Sequence, residues 1–281
     1  MPTHRLKLVF YKQVAVVCTL IFSLYSLSAL AQSNSGAGRL AQIQSKKLLR
    51  VCIWPDYYSI SFRNPRNAQL SGIDIDLARE LGKDLGVEVQ FVDSSFAKLI
   101  ENLSNDLCDV AMHGVGITPQ RQEKLSFTQP YLRSDFYAVT TKTQPVIKQW
   151  DDLDKPGNIL GVQGGTVMEP TMRAALKQAQ IEVVLPPKTR EQELEAGRVD
   201  AFITDYPYSR RILDNADWAK LISPPKPFHL TSYAYAIRKV ENKNDEAWLN
   251  QLNQFVSAIK RDGRLLNAAK RYRLEPIVVS D

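Results

Sequence analysis

Between residues 48 and 238, short apolar runs alternate with stretches whose apolar residues recur at helical spacing. Parallel strands can be joined only through a crossover, usually a helix, so this alternation points to an α/β fold with a mostly parallel sheet. Leu48–Ile53 reads as the first strand. Ile73, Leu77, Ala78, Leu81 and Leu85 follow on one helical face, with Asp74 and Asp76 in the first turn, where the helix dipole favours acids. Residues 87–92 form a second strand; Phe96, Leu99, Ile100 and Leu103 mark a short amphipathic helix, and residues 109–113 a third strand. A second unit starts near residue 143: a strand at 158–162, a helix on Met168, Met172, Ala175, Leu176 and Ala179, a strand at 181–185, a helix at 190–196 and a strand at 199–204. Phe136–Thr141 leads into that unit, and an extended run at 233–238 leads out of it. An amphipathic helix on Trp248, Leu249, Leu252, Phe255, Val256 and Ile259 and a smaller one after Gly263 close the chain. The expected architecture is two α/β lobes joined by two strand-like crossings, with lobe 1 at 39–138 plus 232–281 and lobe 2 at 139–231. Such crossings are natural hinges, and ligands then sit between the lobes at the carboxyl ends of strands.

The N-terminus carries a different signal. Arg5, Lys7 and Lys12 precede an apolar run from Val14 to Leu30 that ends in Ala29-Leu30-Ala31, the three-part pattern of a secretory signal peptide spanning 1–31. A membrane anchor is the plainer alternative, but the run is short and is diluted by Thr19, Ser23, Ser26 and Ser28. Cys18 would leave with the signal, so the mature chain keeps two cysteines, Cys52 and Cys108. An oxidising compartment permits a bridge between them; two buried thiols are the other reading. The chain has 36 basic and 30 acidic residues, and without the signal the excess falls to +3. That is too mild and dispersed for a nucleic-acid partner. No paired Cys/His cluster is spaced to hold zinc, so no metal and no cofactor are expected.

The strand ends carry the remaining signal. Gly114-Val115-Gly116-Ile117-Thr118-Pro119-Gln120-Arg121 follows the third strand. Thr118 suits an N-cap and Pro119 the first helical position, which puts Arg121 in the first turn beside free backbone N–H groups. A guanidinium with such donors makes an anion site, whereas a lone arginine is most often a solvated surface group. Pro119 replaces the third glycine of a dinucleotide loop and excludes that reading. Gln163-Gly164-Gly165-Thr166 opens another helix, where Thr166 can cap or donate its hydroxyl, and no Gly-Lys-Ser/Thr makes it a phosphate loop. Asp205 ends an apolar run, where it can pair with a cation or simply cap a helix. Trp54, Tyr57 and Phe96 add aromatic surface. An arginine for a carboxylate, an aspartate for an ammonium and aromatics between them describe a site for a zwitterion. His113 and His229 lack an HExxH or HxH partner and no serine sits in GxSxG, so no catalytic residue is assigned.

These segments together resemble the periplasmic solute-binding proteins of amino-acid ABC transporters, the bacterial extracellular solute-binding family 3. The resemblance covers essentially the whole mature chain and rests on Gly72-Ile73-Asp74-Ile75-Asp76-Leu77, on Gly116 to Arg121 with Phe127-Thr128-Gln129-Pro130-Tyr131, on Gly161 to Thr166, and on Leu194 to Asp205. It implies a type II periplasmic-binding fold, a hinge closure, an ABC permease as partner, and a monomer that does no chemistry. It also implies roles: Arg121 and Thr166 on the α-carboxylate, Asp205 on the α-ammonium, Tyr57 and Phe96 sandwiching the ligand, and Trp54, Gly114 and Gly116 lining the site. Many members carry Asp where Trp54 stands and Ser or Thr where Gly116 stands, so an aromatic or apolar acid fits as well as a basic amino acid. Two other resemblances lie in the same superfamily. Secreted cyclohexadienyl dehydratases share a segment like Asp154-Lys155-Pro156-Gly157 and a Gly-Gly-Thr loop followed by Glu, which would make Glu169 a general acid after a one-residue offset. Periplasmic partners of quinoprotein dehydrogenases place cysteines as Cys52 and Cys108 are placed but lack the Thr-Pro-Xaa-Arg clamp.

Overall fold

A computed structural model describes residues 38–280; the signal peptide read at 1–31, with Cys18, lies outside them. The described chain runs α1 (Arg39–Lys46), β1 (Leu48–Ile53), β2 (Asp56–Tyr57), β3 (Ser61–Arg63), β4 (Leu70–Ser71), α2 (Ile73–Leu85), β5 (Glu88–Asp93), α3 (Leu99–Ser104), β6 (Val110–Gly116), α4 (Pro119–Lys124), β7 (Leu125–Phe127) and β8 (Leu132–Ser134). It continues with β9 (Phe136–Thr141), β10 (Ile159–Gln163), α5 (Met168–Ala175), β11 (Gln180–Val184), α6 (Arg190–Glu195), β12 (Ala201–Asp205), α7 (Tyr206–Asn215), β13 (Ala219–Ile222), β14 (Thr231–Arg238), α8 (Lys243–Arg261) and α9 (Arg264–Arg271). None of the described helices is long and apolar enough to cross a membrane.

Two large sheets organise these elements, and β2, β3 and β4 pair in a small third one. The first has the order β5-β1-β6-β14-β7, with β8 also on β14; the second has the order β11-β10-β12-β9-β13. Each is parallel where helices make the crossovers: β1 lies parallel to β5 and β6, and β10 to β11 and β12. Each turns antiparallel where a strand arrives from the other unit, as β14 does on β6 and β9 does on β12. The passage between sheets falls at Asp135, ahead of the boundary expected at 138–139, because β9 is wholly a strand of the second sheet. The returning chain enters the first sheet at once, with Thr231 opposite Ser134. Asp135 ties the two passages together: its carboxylate accepts the N–H groups of Phe136 at 2.7 Å, Phe228 at 2.9 Å and His229 at 2.7 Å.

Tertiary pairing moves several boundaries read from periodicity. β6 continues through Gly114-Val115-Gly116, because Ala234 and Tyr233 of β14 pair with Val115 and Gly116. β12 keeps Asp205, which pairs with Phe136. α5 stops at Ala175, short of the expected Leu176 and Ala179. There the Asp154 carboxylate gathers the N–H groups of Lys177, Gln178 and Ala179 at 2.8–2.9 Å, which holds that stretch out of helical hydrogen bonding. α1, α7 and β13 lie outside the elements expected from the sequence.

Against the first sheet, α8 buries Trp248, Leu252, Phe255, Val256 and Ile259, the face its spacing describes. The Trp248 indole also donates to the Asp109 carbonyl at 3.0 Å, which satisfies its one polar group. Cys52 of β1 and Cys108, just before β6, form a disulfide buried under Leu99 and Leu103 of α3. The bridge closes a sequence separation of 56 residues, a long loop whose cross-linking restricts the unfolded chain. Replacing both cysteines by alanine is therefore expected to lower stability by roughly 2–4 kcal/mol. Urea unfolding of the mature protein measures this, and thiol titration of the unfolded, unreduced wild type should find no free thiol.

Candidate functional site

All eight residues singled out from the sequence line one cleft between the two sheets: Trp54, Tyr57, Phe96, Gly114, Gly116, Arg121, Thr166 and Asp205. Arg121 is set by the local signal that suggested it. Thr118 caps α4 by accepting the Arg121 N–H at 3.1 Å, and Pro119 opens the helix. The Arg121 side chain then turns inward and is only 7% exposed. Its Nη1 donates to the Gly116 carbonyl at 2.8 Å, and its Nη2 reaches the Gly165 carbonyl of the other sheet unit at 3.0 Å. The guanidinium lies over the Phe96 ring, 5.6 Å from its centre. It makes no ion pair among the described residues, and burial lowers its pKa to about 10. A buried cation held only by carbonyl dipoles and one ring is poorly compensated, which suits it to an anion.

Two glycines permit this approach. A Cβ on Gly116 would come within 2.8 Å of the Thr231 methyl group, so a larger residue there would require Thr231 to shift. Gly165 has φ +77°, and a Cβ there would sit 2.5 Å from the Ala97 backbone nitrogen, across the cleft. Thr166 is not the helix cap: its hydroxyl donates to the Gln163 carbonyl at 2.7 Å and accepts from the Met168 N–H at 3.3 Å.

Asp205 is the helix cap that its position allowed, and in place of a cation it meets two phenol hydroxyls. One oxygen caps α7 by accepting the Tyr208 N–H at 3.1 Å. The other accepts the hydroxyls of Tyr57 and of Tyr233, the latter at 2.7 Å. Both phenols belong to the first sheet unit, so these bonds cross the cleft. Burial, reinforced by the charge of Asp205, raises both phenol pKa values far above the ordinary range and keeps them as donors. Trp54, Tyr57 and Phe96 form one aromatic cluster, with ring centres 5.3–5.9 Å apart. Tyr57 and Phe96 meet edge to face, so they do not bracket a ligand-sized gap in this conformation. The free space admits the centre of a water-sized sphere over only about 30 Å³, enough for a water or two.

Arg190, Tyr208 and Tyr233 also line the cleft and were not singled out from the sequence. Arg190 opens a helix and would ordinarily be solvated. Tyr233 opens the extended run read at 233–238, and Tyr208 stands between Pro207 and Ser209 with no motif to mark it. Glu169, the general-acid candidate, is not among the lining residues; its carboxylate accepts from Arg173 one turn along α5 at 3.1 Å. His229 is held through its backbone by Asp135, and its ring packs on Phe136. Among the described residues no group of His, Cys, Asp and Glu could hold a metal ion.

Comparison with known proteins agrees with this geometry. The chain matches the sequence model of the bacterial extracellular solute-binding proteins, family 3, over residues 49–275, and it belongs to that family. Its architecture is the type II periplasmic-binding fold, two α/β lobes facing a cleft. It is 28% identical over 249 residues to cyclohexadienyl dehydratase of Pseudomonas aeruginosa, which covers 88% of this chain and 91% of that one. It is 25% identical to the L-cystine-binding protein of Escherichia coli K12, covering 86% of this chain and 88% of that one. Among solved structures, an ancestral amino-acid-binding protein described as a precursor of cyclohexadienyl dehydratase superposes with a TM-score of 0.75 at 32% identity, covering 83% of this chain and 98% of that one.

Beneath the cleft lie two buried titratable groups that are not in its lining. Asp74, from the Gly72-Ile73-Asp74 segment, accepts the Gly114 N–H at 2.9 Å and the Tyr131 hydroxyl at 2.6 Å, and so anchors the ligand-facing end of β6. Burial raises its pKa to about 7 despite these donors. His113 lies against Phe96 and donates its Nδ1–H to the Cys52 carbonyl at 3.2 Å, and burial lowers its pKa to about 4. The signs differ. Stability from Asp74 is full below its unfolded value near 4 and is lost as pH rises through about 7; that from His113 is full above about 6.5 and is lost as pH falls through about 4. Asp74→Asn, which keeps an acceptor for Gly114, is expected to flatten the decline in stability between pH 4 and 7. The urea midpoint measured across that range checks it.

Proposed function

We propose that this protein is a periplasmic receptor that captures a small zwitterion, an amino acid, and presents it to an ABC permease. One observation carries the reading: Arg121 is a buried guanidinium at the start of a helix, lining an interlobe cleft, with no acid paired to it among the described residues. Its planar fork suits a carboxylate, and Asp205 on the opposite lobe suits an ammonium. The family and the named amino-acid binders among its relatives support the same ligand class.

The geometry suggests how capture proceeds. An amino acid is far larger than the space in the cleft, so the lobes must part about the paired crossings at Asp135 before it enters. Its carboxylate then takes the Arg121 donors that otherwise meet the Gly116 and Gly165 carbonyls. Its ammonium takes the Asp205 oxygen that otherwise meets Tyr57 and Tyr233. Contacts across the cleft are exchanged for contacts to the ligand, and closing again removes both charges from water.

The dehydratase reading has one specific observation behind it, the similarity to the Pseudomonas aeruginosa enzyme. Against it, Asp205 is the single carboxylate in the cleft lining, and Glu169 is engaged by Arg173. Titration calorimetry with a panel of amino acids, run beside an assay for phenylpyruvate formed from prephenate, separates the two readings. Arg121→Ala is expected to weaken amino-acid binding by roughly 2–5 kcal/mol with the fold intact by circular dichroism. Wild-type affinity in that variant would overturn the clamp. Prephenate turnover that disappears in Glu169→Gln would overturn the receptor reading.

A further inference from the structure

A second guanidinium faces the same cleft. Thr189 caps α6 by accepting the Gln192 N–H, and Arg190 is the first helical residue. Its side chain turns inward and is 3% exposed. Nη1 donates to the Ile203 carbonyl at 2.8 Å, near the end of β12. The guanidinium lies 4.1 Å from the centre of the Tyr208 ring and 5.4 Å from that of Phe202. Its Nε is buried without an acceptor, and Arg190 makes no ion pair among the described residues.

The acids nearest in sequence make no ion pair with it, although Glu191 keeps one buried oxygen without a partner. Glu191 accepts the Tyr208 hydroxyl at 2.7 Å, and Glu193 holds Arg198 through two bonds of 2.6 and 2.9 Å. Asp205 is engaged by Tyr57, Tyr233 and the Tyr208 N–H. An arginine needed only to pack on Tyr208 could be replaced by an apolar chain without the cost of burying a charge. Here the charge is retained, at a wall of the ligand cleft, with a donor left over.

The charged groups lining the cleft are therefore Arg121, Arg190 and Asp205, two cations and one anion. A ligand complementary to that set carries two anionic groups and one cationic group. We propose that the ligand is a dicarboxylate, its first carboxylate on Arg121 and its second on Arg190, so that the receptor selects an amino acid with an acidic side chain. This rests on the receptor reading for the α-carboxylate and the ammonium, and adds the side-chain subsite. Tyr208 holds the Arg190 plane by cation–π contact; Nη1 is taken by the Ile203 carbonyl, and Nε is the donor left to meet a carboxylate.

Titration calorimetry of the mature protein with L-glutamate, L-aspartate and their amides L-glutamine and L-asparagine tests the charge directly, since acid and amide are nearly the same size. The acid is expected to bind at least about 30-fold more tightly than its amide. Arg190→Gln should bring that ratio to within a few-fold, and Arg190→Lys should keep most of the preference. If Arg190→Gln does not fold by circular dichroism, the wild-type acid-to-amide ratio decides by itself. Amides bound as tightly as acids, in an Arg121-dependent manner, would overturn the dicarboxylate proposal and leave the receptor reading standing. Tight binding of glutarate or prephenate with no amino acid bound would uphold two carboxylates and overturn the amino-acid reading. Failure of all these compounds to bind would overturn both.

Discussion

The cleft depends on two passages of the chain between the sheets lying side by side, and Asp135 holds them so. Its carboxylate collects backbone N–H groups from the outgoing passage at Phe136 and from the returning passage at Phe228 and His229. The same junction pairs Ser134 with Thr231, which fixes where β14 enters the first sheet. From that register follow the pairing of Tyr233 with Gly116 and the reach of the Tyr233 hydroxyl to Asp205. Two short connections at one edge restrict how the lobes can move, so strand ends from both units face one another across a narrow gap. Opening and closing about such a pair of segments leaves each core undisturbed.

The second organising feature is charge that the protein does not neutralise itself. Arg121 and Arg190 are both buried without an acidic partner among the described residues, and each is held by peptide carbonyls and aromatic faces. Dipoles and rings are weaker partners for a guanidinium than a carboxylate is. They do, however, keep each fork in place, so little side-chain freedom remains to be lost when an anion arrives. Asp205 mirrors this on the opposite sign: phenol hydroxyls satisfy it, and an ammonium would satisfy it better. Each of these charges is thus met by neutral partners that a charged ligand could replace.

Similarity to both binders and an enzyme is unsurprising on one scaffold, since function resides in the site and not in the fold. What distinguishes the two here is local. A dehydratase must present a proton donor to its substrate, and Glu169, one turn from Arg173, presents its carboxylate to a cation on its own helix. The cleft is otherwise built to hold charge in place: two arginines, one aspartate and a wall of rings, with His113 buried behind Phe96 and outside the cleft lining.

Much of this was legible in the residues alone. Thr118-Pro119 set the start of α4 and the place of Arg121 in its first turn, because cap and proline act through bonds a few residues long. The strands β1 and β10 and the buried face of α8 were readable for the same reason: periodicity is local and burial follows it. Cys52 and Cys108 were open between bridge and thiols until the strands that carry them were seen side by side. The inward turn of Arg190 was not legible, because it depends on Tyr208 and Ile203 from other elements closing over it. Asp205 could be read as a cap or as a cation partner, and only packing from Tyr57 and Tyr233, far away in the chain, gave one carboxylate three donors. By itself the sequence determined the elements and the anchoring of Arg121, since those are set by neighbours along the chain. The tertiary structure decided which charges lie buried together without partners, since that is set by neighbours in space.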